Sequence, residues 1–236
     1  ILEIPFQYGV HNLTIGNPTD GIPSWDPYEA TFGAAEVWHE LLDPIFGHPV
    51  LTGAYYGFYH YFLLGKDNGG LATGFCTSLA SLVADKLWKG ETDATTITKA
   101  SIHKWITGVH GKLLSRESLL HFHDQSRREV ANVETTARFI ERAFLTGCDR
   151  NTAPLLFFIP SGAVWDAGYI DGMGSSHCIF PYRFAYPENH TGPQLSADGI
   201  TTINDLEGVE LYCWDCNNDT NPNCRLHFRK ENGVLH

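Results

Sequence analysis

The chain is poor in basic residues. Lys and Arg together number 16 against 27 Asp and Glu, so the formal net charge is −11 in a sequence of 236 residues. A nucleic-acid partner needs a concentrated basic surface, and a basic run such as Arg127-Arg128 is only a short doublet. We therefore expect no nucleic-acid binding.

Long apolar runs and low-complexity linkers are also missing. The longest apolar stretches are interrupted by Gly57, His60 and Gly65, so none reaches the length of a membrane-spanning helix. With 43% hydrophobic and 13% aromatic residues, the sequence still has enough apolar side chains for a packed core. We expect one soluble domain without a membrane span. The chain starts at Ile1 with no charged-then-apolar leader, which is what removal of an upstream region would leave.

Cysteines are few for a chain of this length. The six are Cys76, Cys148, Cys178, Cys213, Cys216 and Cys224. They are too few and too clustered for a disulfide-dense scaffold, although one or two bridges remain open.

The most informative stretch runs from Gly69 to Trp88. The part up to Cys76 is rich in glycine, and after it apolar residues recur at helical spacing, at Leu79, Leu82, Val83 and Leu87. Cys76 is therefore predicted to lie where a loop enters a buried helix. The positive end of a helix favours a thiolate, so this position is typical of a nucleophile. The alternative is that Cys76 is a small hydrophobic core residue.

The first two-thirds of the chain is predicted to be mainly helical. Residues 1 to 28 are rich in Pro and Gly and predict an extended arm over the body. Apolar residues at intervals of three or four predict helices over Tyr28 to Leu42, after Cys76, and over Thr96 to His110, Ser115 to Ala131 and Val133 to Thr146. We assign 29–147 as the mainly helical part of a single domain, 1–236.

Short apolar runs replace this pattern in residues 148–236, the predicted sheet part. They predict strands over Ala153 to Ile159, His177 to Phe184, Val209 to Cys216 and Arg225 to Arg229, followed by the turn pair Asn232-Gly233. A block of helices followed by a block of strands indicates an α+β fold.

Two of these strands carry residues suited to catalysis. His177 opens one strand, after the small residues Gly174 to Ser176, and Asp215 closes the next. If the two strands pair as antiparallel neighbours, the start of one lies beside the end of the other, so Asp215 is expected next to His177. With Cys76 the set contains a nucleophile, a base and an orienting group.

The order and setting of these three residues resemble the papain-like cysteine peptidases, most closely the branch related to bacteriocin-leader-processing peptidases. The matching motifs are Gly74 to Cys76, His177 to Tyr182 and Trp214 to Asn217. The resemblance implies a papain-like α+β fold, with a helical N-terminal half packed on a C-terminal antiparallel sheet. It also implies a thiol hydrolase that cleaves a peptide or protein substrate through a thioester and needs neither cofactor nor metal.

The sequence departs from that family in two places. A glutamine usually precedes the cysteine as an oxyanion donor, whereas here Asn68, followed by Gly69 and Gly70, is the candidate, together with the backbone N–H of Cys76. The interval between His177 and Asp215 is long, and we assign the excess to a surface insertion over Pro187 to Glu207.

Other functions remain open. Cys213, Cys216, Cys224 and His227 include the ligand types of a structural zinc site, which would suit a non-catalytic or zinc-stabilised interaction domain. A disulfide between two of these cysteines, or plain burial, is a further interpretation of the cluster. An acyltransferase or transglutaminase-like enzyme could use the same triad, because an amine can attack the thioester as water does.

Overall fold

A computed structural model describes residues 1–12, 38–42, 49–51, 133–148, 154–158, 177–199, 205–215 and 221–236. The elements in these ranges are one helix, α1 (Val133–Thr146), and nine strands: β1 (Leu2–Glu3), β2 (Trp38–Leu42), β3 (Pro49–Leu51), β4 (Leu156–Phe158), β5 (His177–Ala185), β6 (Glu210–Trp214), β7 (Arg225–His227), β8 (Lys230–Glu231) and β9 (Val234–Leu235).

Strand β5 is the centre of the main sheet. It pairs antiparallel with β6 on one side, and on the other side with β4 near its start and β1 near its end. Strand β6 pairs in turn with β7, also antiparallel. The nine residues of β5 include five apolar or aromatic side chains that are buried, as expected for a central strand: Cys178, Ile179, Phe180, Tyr182 and Phe184.

Helix α1 covers part of this sheet. Its buried residues, Ala137, Ile140, Glu141 and Phe144, follow the three-and-four spacing of a single helix face. The Phe144 ring meets the ring of Phe184 edge-on, with the centroids 5.8 Å apart. On the helix surface Arg138 forms an ion pair with Glu134, four residues earlier, at 2.7 Å. The helix ends at Thr146, and the next residue, Gly147, adopts a φ of 82° that a side chain would disfavour.

Two small hairpins complete the described structure. Strands β2 and β3 pair antiparallel, as do β8 and β9. In the second hairpin Asn232 and Gly233 have φ values of 52° and 81°, the left-handed conformation that tight two-residue turns require. The predicted Asn-Gly turn is confirmed.

The predicted fold class is wrong. In the residues described before Val133, the structure has the strands β1, β2 and β3 and no helix, so it gives no helical N-terminal half packed on a sheet. In particular, the end of the predicted helix Tyr28 to Leu42 is strand β2. The apolar residues Trp38, Leu41 and Leu42 fit either element over so short a run, and pairing with β3 decides for a strand.

Predictions in the later part of the chain are more accurate. Helix Val133 to Thr146 is confirmed at both ends, and the four predicted strands correspond to β4, β5, β6 and β7 with ends shifted by a few residues. The predicted helices over 76–131 lie outside the described residues. Within the ranges given above, no helix has both the length and the hydrophobicity needed to cross a membrane.

Candidate functional site

The antiparallel pairing of β5 and β6 brings the start of one strand beside the end of the other. The pairs nearest this end are Phe180 with Trp214 and Pro181 with Cys213. His177 is the first residue of β5, where it pairs with Phe158 of β4, and Asp215 directly follows β6. Continued by one residue, the register sets Asp215 against Ile179, two positions from His177.

A bulge interrupts this pairing. The register shifts between Pro181 and Arg183, so that Tyr182 and Arg183 together oppose Tyr212. Proline lacks a backbone N–H donor, so inside sheets it is tolerated mainly at such irregularities. This explains why Pro181 can lie in β5, next to the bulge. The bulge separates a buried segment, Cys178 to Tyr182, from the half-exposed Arg183.

Asp215 lies in a group of thiols. Burial is the main cause that raises the pKa of Cys213 well above its usual value, and the neighbouring Cys224, Asp215 and Cys178 raise it further. Burial also raises the pKa of Cys224, again with a contribution from Asp215. The half-buried Asp215 carboxylate is therefore close enough to both thiols to disfavour their thiolates.

The remaining predicted site residues fall elsewhere. Cys76, Asn68, Cys216 and Asn217 lie outside the described residues, so the structure gives no distance from Cys76 to His177 or Asp215. Of the three predicted triad residues, the structure describes the backbone positions of two: His177, which opens β5, and Asp215, which follows β6.

The predicted zinc ligands are not all together. The Cys213 N–H donates to the Cys224 carbonyl at 2.9 Å, so these two cysteines are neighbours across β6 and the approach to β7. His227 pairs instead with Glu210, which is three residues before Cys213. Residues three apart on a strand point to opposite faces, so His227 and the two cysteines lie on opposite faces of the sheet. Among the residues that the structure describes, no three His, Cys, Asp or Glu side chains are grouped to hold a metal ion.

A contact that the sequence reasoning missed joins α1 to Tyr186, the residue that follows β5. The Glu141 side chain is fully buried, and the Tyr186 hydroxyl donates to its Oε1 at 2.5 Å. Burial raises the pKa of Tyr186, and the hydrogen bond and the charge of Glu141 add to the effect. The signal was available, because Glu141 stands in the apolar stripe of α1, where a carboxyl group needs a polar partner.

The opposite face of β6 carries a polar row. The guanidinium carbons of Arg183 and Arg225 lie 5.0 and 5.7 Å from the centroid of the Tyr212 ring, which suits cation–π contacts. The Tyr212 hydroxyl donates to Glu210 Oε2 at 3.1 Å, and Arg225 Nε lies 2.9 Å from Glu210 Oε1. These side chains are exposed or half-exposed, so this face of the sheet, which α1 does not cover, is open to solvent.

No protein-family model, curated protein or solved structure matches this chain. The resemblance to cysteine peptidases therefore stays a prediction from short motifs. The structure adds the antiparallel pairing at the His177 and Asp215 strand ends, the thiols around Cys213, and the contact of Tyr186 with buried Glu141.

Proposed function

We propose that the protein is a thiol hydrolase that cleaves a peptide or amide bond. Cys76 is the nucleophile, His177 the general base and then acid, Asp215 the group that orients the imidazole, and Asn68 an oxyanion donor. One observation supports the proposal most directly: β5 and β6 pair antiparallel, with Phe180 opposite Trp214, so the strand that His177 opens begins near Asp215, the residue that follows β6.

The chemistry needs these residue types. His177 accepts the proton of the Cys76 thiol, and the thiolate attacks the substrate carbonyl carbon. The tetrahedral intermediate collapses to a thioester as the C–N bond breaks, and His177 returns its proton to the leaving amine. Water, deprotonated by His177, then attacks the thioester and releases the acid and the Cys76 thiol.

Asp215 has a defined part in this scheme. A carboxylate that accepts from one imidazole nitrogen fixes the tautomer and stabilises the imidazolium formed when Cys76 is deprotonated. The Asp215 charge already acts on its surroundings, since it raises the pKa of Cys224. A negative charge at this strand end disfavours nearby thiolates, while an imidazolium between it and Cys76 would favour the Cys76 thiolate.

The test is the reactivity of Cys76 in the intact protein. We expect limiting iodoacetamide at mildly acidic pH to label Cys76 first, because an imidazolium partner keeps a thiolate there at a pH where ordinary thiols are protonated. Trypsin places Cys76 alone on the peptide Asp67 to Lys86, so mass spectrometry reads its labelling separately.

The decisive variant is His177→Ala, with His227→Ala as the matched control. His227 is also a strand histidine and is 42% exposed. Loss of the base should slow Cys76 labelling about a hundredfold, within the range typical of a general base, while the control keeps the wild-type rate. Labelling that is concentrated on the peptide Phe184 to Arg225, or equal Cys76 rates in both variants, contradicts the proposal.

A further inference from the structure

Two cysteines face each other across the strands β6 and β7. Cys213 lies in β6, and its N–H donates to the carbonyl of Cys224, the residue directly before β7, at 2.9 Å. The pairs of the two strands, Glu210 with His227 through Tyr212 with Arg225, continue to Cys213 with Cys224 in the same register. The two residues are therefore directly opposed.

This position suits a disulfide bond. Opposed residues in antiparallel strands have Cα atoms about 4.5 to 5.5 Å apart, within the range of about 4.4 to 6.8 Å that disulfides span. The segment before Cys224 is held in place, because the Tyr182 hydroxyl donates to the Pro222 carbonyl at 3.2 Å and the Cys224 N–H to the Asn221 carbonyl at 3.3 Å. Bond formation thus needs no large backbone movement.

The two thiols differ in access. Cys213 is fully buried, whereas Cys224 is half-exposed, and both are reduced in this structure. Cys178 is a buried third thiol near Cys213, but the register of β5 places Pro181, not Cys178, opposite Cys213. A small oxidant therefore meets Cys224 first, and Cys213 is the thiol across from it.

We propose that Cys213 and Cys224 form a covalent cross-strand site, which a low-molecular-weight disulfide such as oxidised glutathione converts to a disulfide bond. The Cys224 thiolate attacks one sulfur of the oxidant, giving a mixed disulfide and one glutathione thiolate. Cys213 loses its proton and attacks the Cys224 sulfur, which releases the second glutathione. Two cysteine thiols are oxidised and one glutathione disulfide is reduced to two thiols, so protons and electrons balance.

The experiment uses the full chain in a series of reduced to oxidised glutathione ratios, followed by acid quenching, alkylation of the remaining thiols and digestion with a protease that cleaves before aspartate. This digestion puts the three neighbouring cysteines on separate peptides: Cys213 on Asp205 to Trp214, Cys216 on Asp215 to Asn218 and Cys224 on Asp219 to His236. We expect the first and third peptides to appear cross-linked as the ratio becomes oxidising, and to separate on reduction.

Four variants give the controls. Cys224→Ser and Cys213→Ala should abolish the cross-link, whereas Cys216→Ser and Cys178→Ser should leave its yield within about twofold of wild type, because the proposed bond joins Cys213 to Cys224 and uses neither of these thiols. Cys224→Ser keeps the experiment informative if the buried substitution at Cys213 impairs folding. A cross-link that includes Cys216 or Cys178 in the wild type, or full alkylation of Cys213 and Cys224 at every ratio, overturns the proposal.

Discussion

Glu141 and Glu210 make the same contact in opposite surroundings. Each accepts a hydrogen bond from a tyrosine hydroxyl, Glu141 from Tyr186 and Glu210 from Tyr212. Glu141 is fully buried between α1 and the sheet, whereas the Glu210 side chain is 28% exposed on the open face and also pairs with Arg225. The comparison separates the dry face of the sheet, which α1 covers, from the wet face, which carries Glu210. Burial, rather than the hydrogen bond itself, sets how much each contact contributes to stability.

The physical reason is desolvation. A carboxyl group in water can replace a lost partner with a water molecule, whereas a buried one cannot. Exposed ion pairs such as Arg225 with Glu210 typically contribute no more than about 1 kcal/mol, because solvent screens them. The dry face is therefore where substitutions should be costly, whether the side chain is polar or apolar.

The largest expected effect comes from opening the dry face. Phe184 is fully buried against Phe144, Tyr186 and Phe228, so Phe184→Ala should lower the free energy of unfolding by about 3 to 5 kcal/mol. Urea unfolding followed by circular dichroism measures the loss. Phe139→Ala is the matched control, since Phe139 is 68% exposed on α1, and it should change stability by less than about 0.5 kcal/mol. Similar losses in both variants would mean that α1 does not cover this face.

A smaller effect isolates the hydroxyl groups. Tyr186→Phe removes the donor to buried Glu141 and should cost about 1 to 3 kcal/mol, because the carboxyl oxygen loses a partner that water cannot replace. Tyr212→Phe removes the matching donor to Glu210 and should cost less than about 1 kcal/mol, since that carboxylate keeps water and Arg225. Equal losses in the same urea experiment would refute the distinction between the two faces.

The smallest effect concerns the charge of Asp215, at the end of the β5–β6 pair where β5 begins and β6 ends. Asp215 raises the pKa of Cys224, so Asp215→Asn should lower that pKa, increase the thiolate fraction at a given pH and speed Cys224 alkylation by less than about tenfold. If Asp215 also orients His177, the same variant should raise the apparent pKa of Cys76 and slow its alkylation. The pH profiles of both cysteines, measured by peptide mapping, therefore move in opposite directions. An unshifted Cys76 profile would remove Asp215 from the proposed triad, and an unshifted Cys224 profile would remove its charge from the thiol group.

Local signals predicted much of the later fold. Helix α1 has a continuous apolar stripe and a terminal glycine, and the Asn232-Gly233 turn has residues that accept left-handed conformations, so each could be predicted from its own segment. Strand β2 could not, because five residues with a mixed apolar pattern fit both element types, and its conformation depends on β3. The wrong helical assignment shows that tertiary pairing overrides local spacing in a short run.

The candidate site was predictable only in part. The sequence indicated that His177 opens one strand and that Asp215 closes its neighbour. The antiparallel pairing that would bring these two strand ends together is confirmed. It did not indicate the bulge at Tyr182, which depends on how two distant strands align, or the Glu141–Tyr186 bond across 45 residues. The position of Cys76 relative to these residues remains a prediction.

The pairing of β1 with β5 has a consequence for the order of folding. Leu2 meets Phe184 across roughly 180 positions of the chain, whereas Phe180 meets Trp214 across roughly 34, so closing the first loop costs about 1.5 kcal/mol more in chain entropy. The β8–β9 hairpin closes over only a few residues and can form within microseconds. We therefore expect the C-terminal strands to assemble first and β1 to join the sheet last, after its site on β5 has formed.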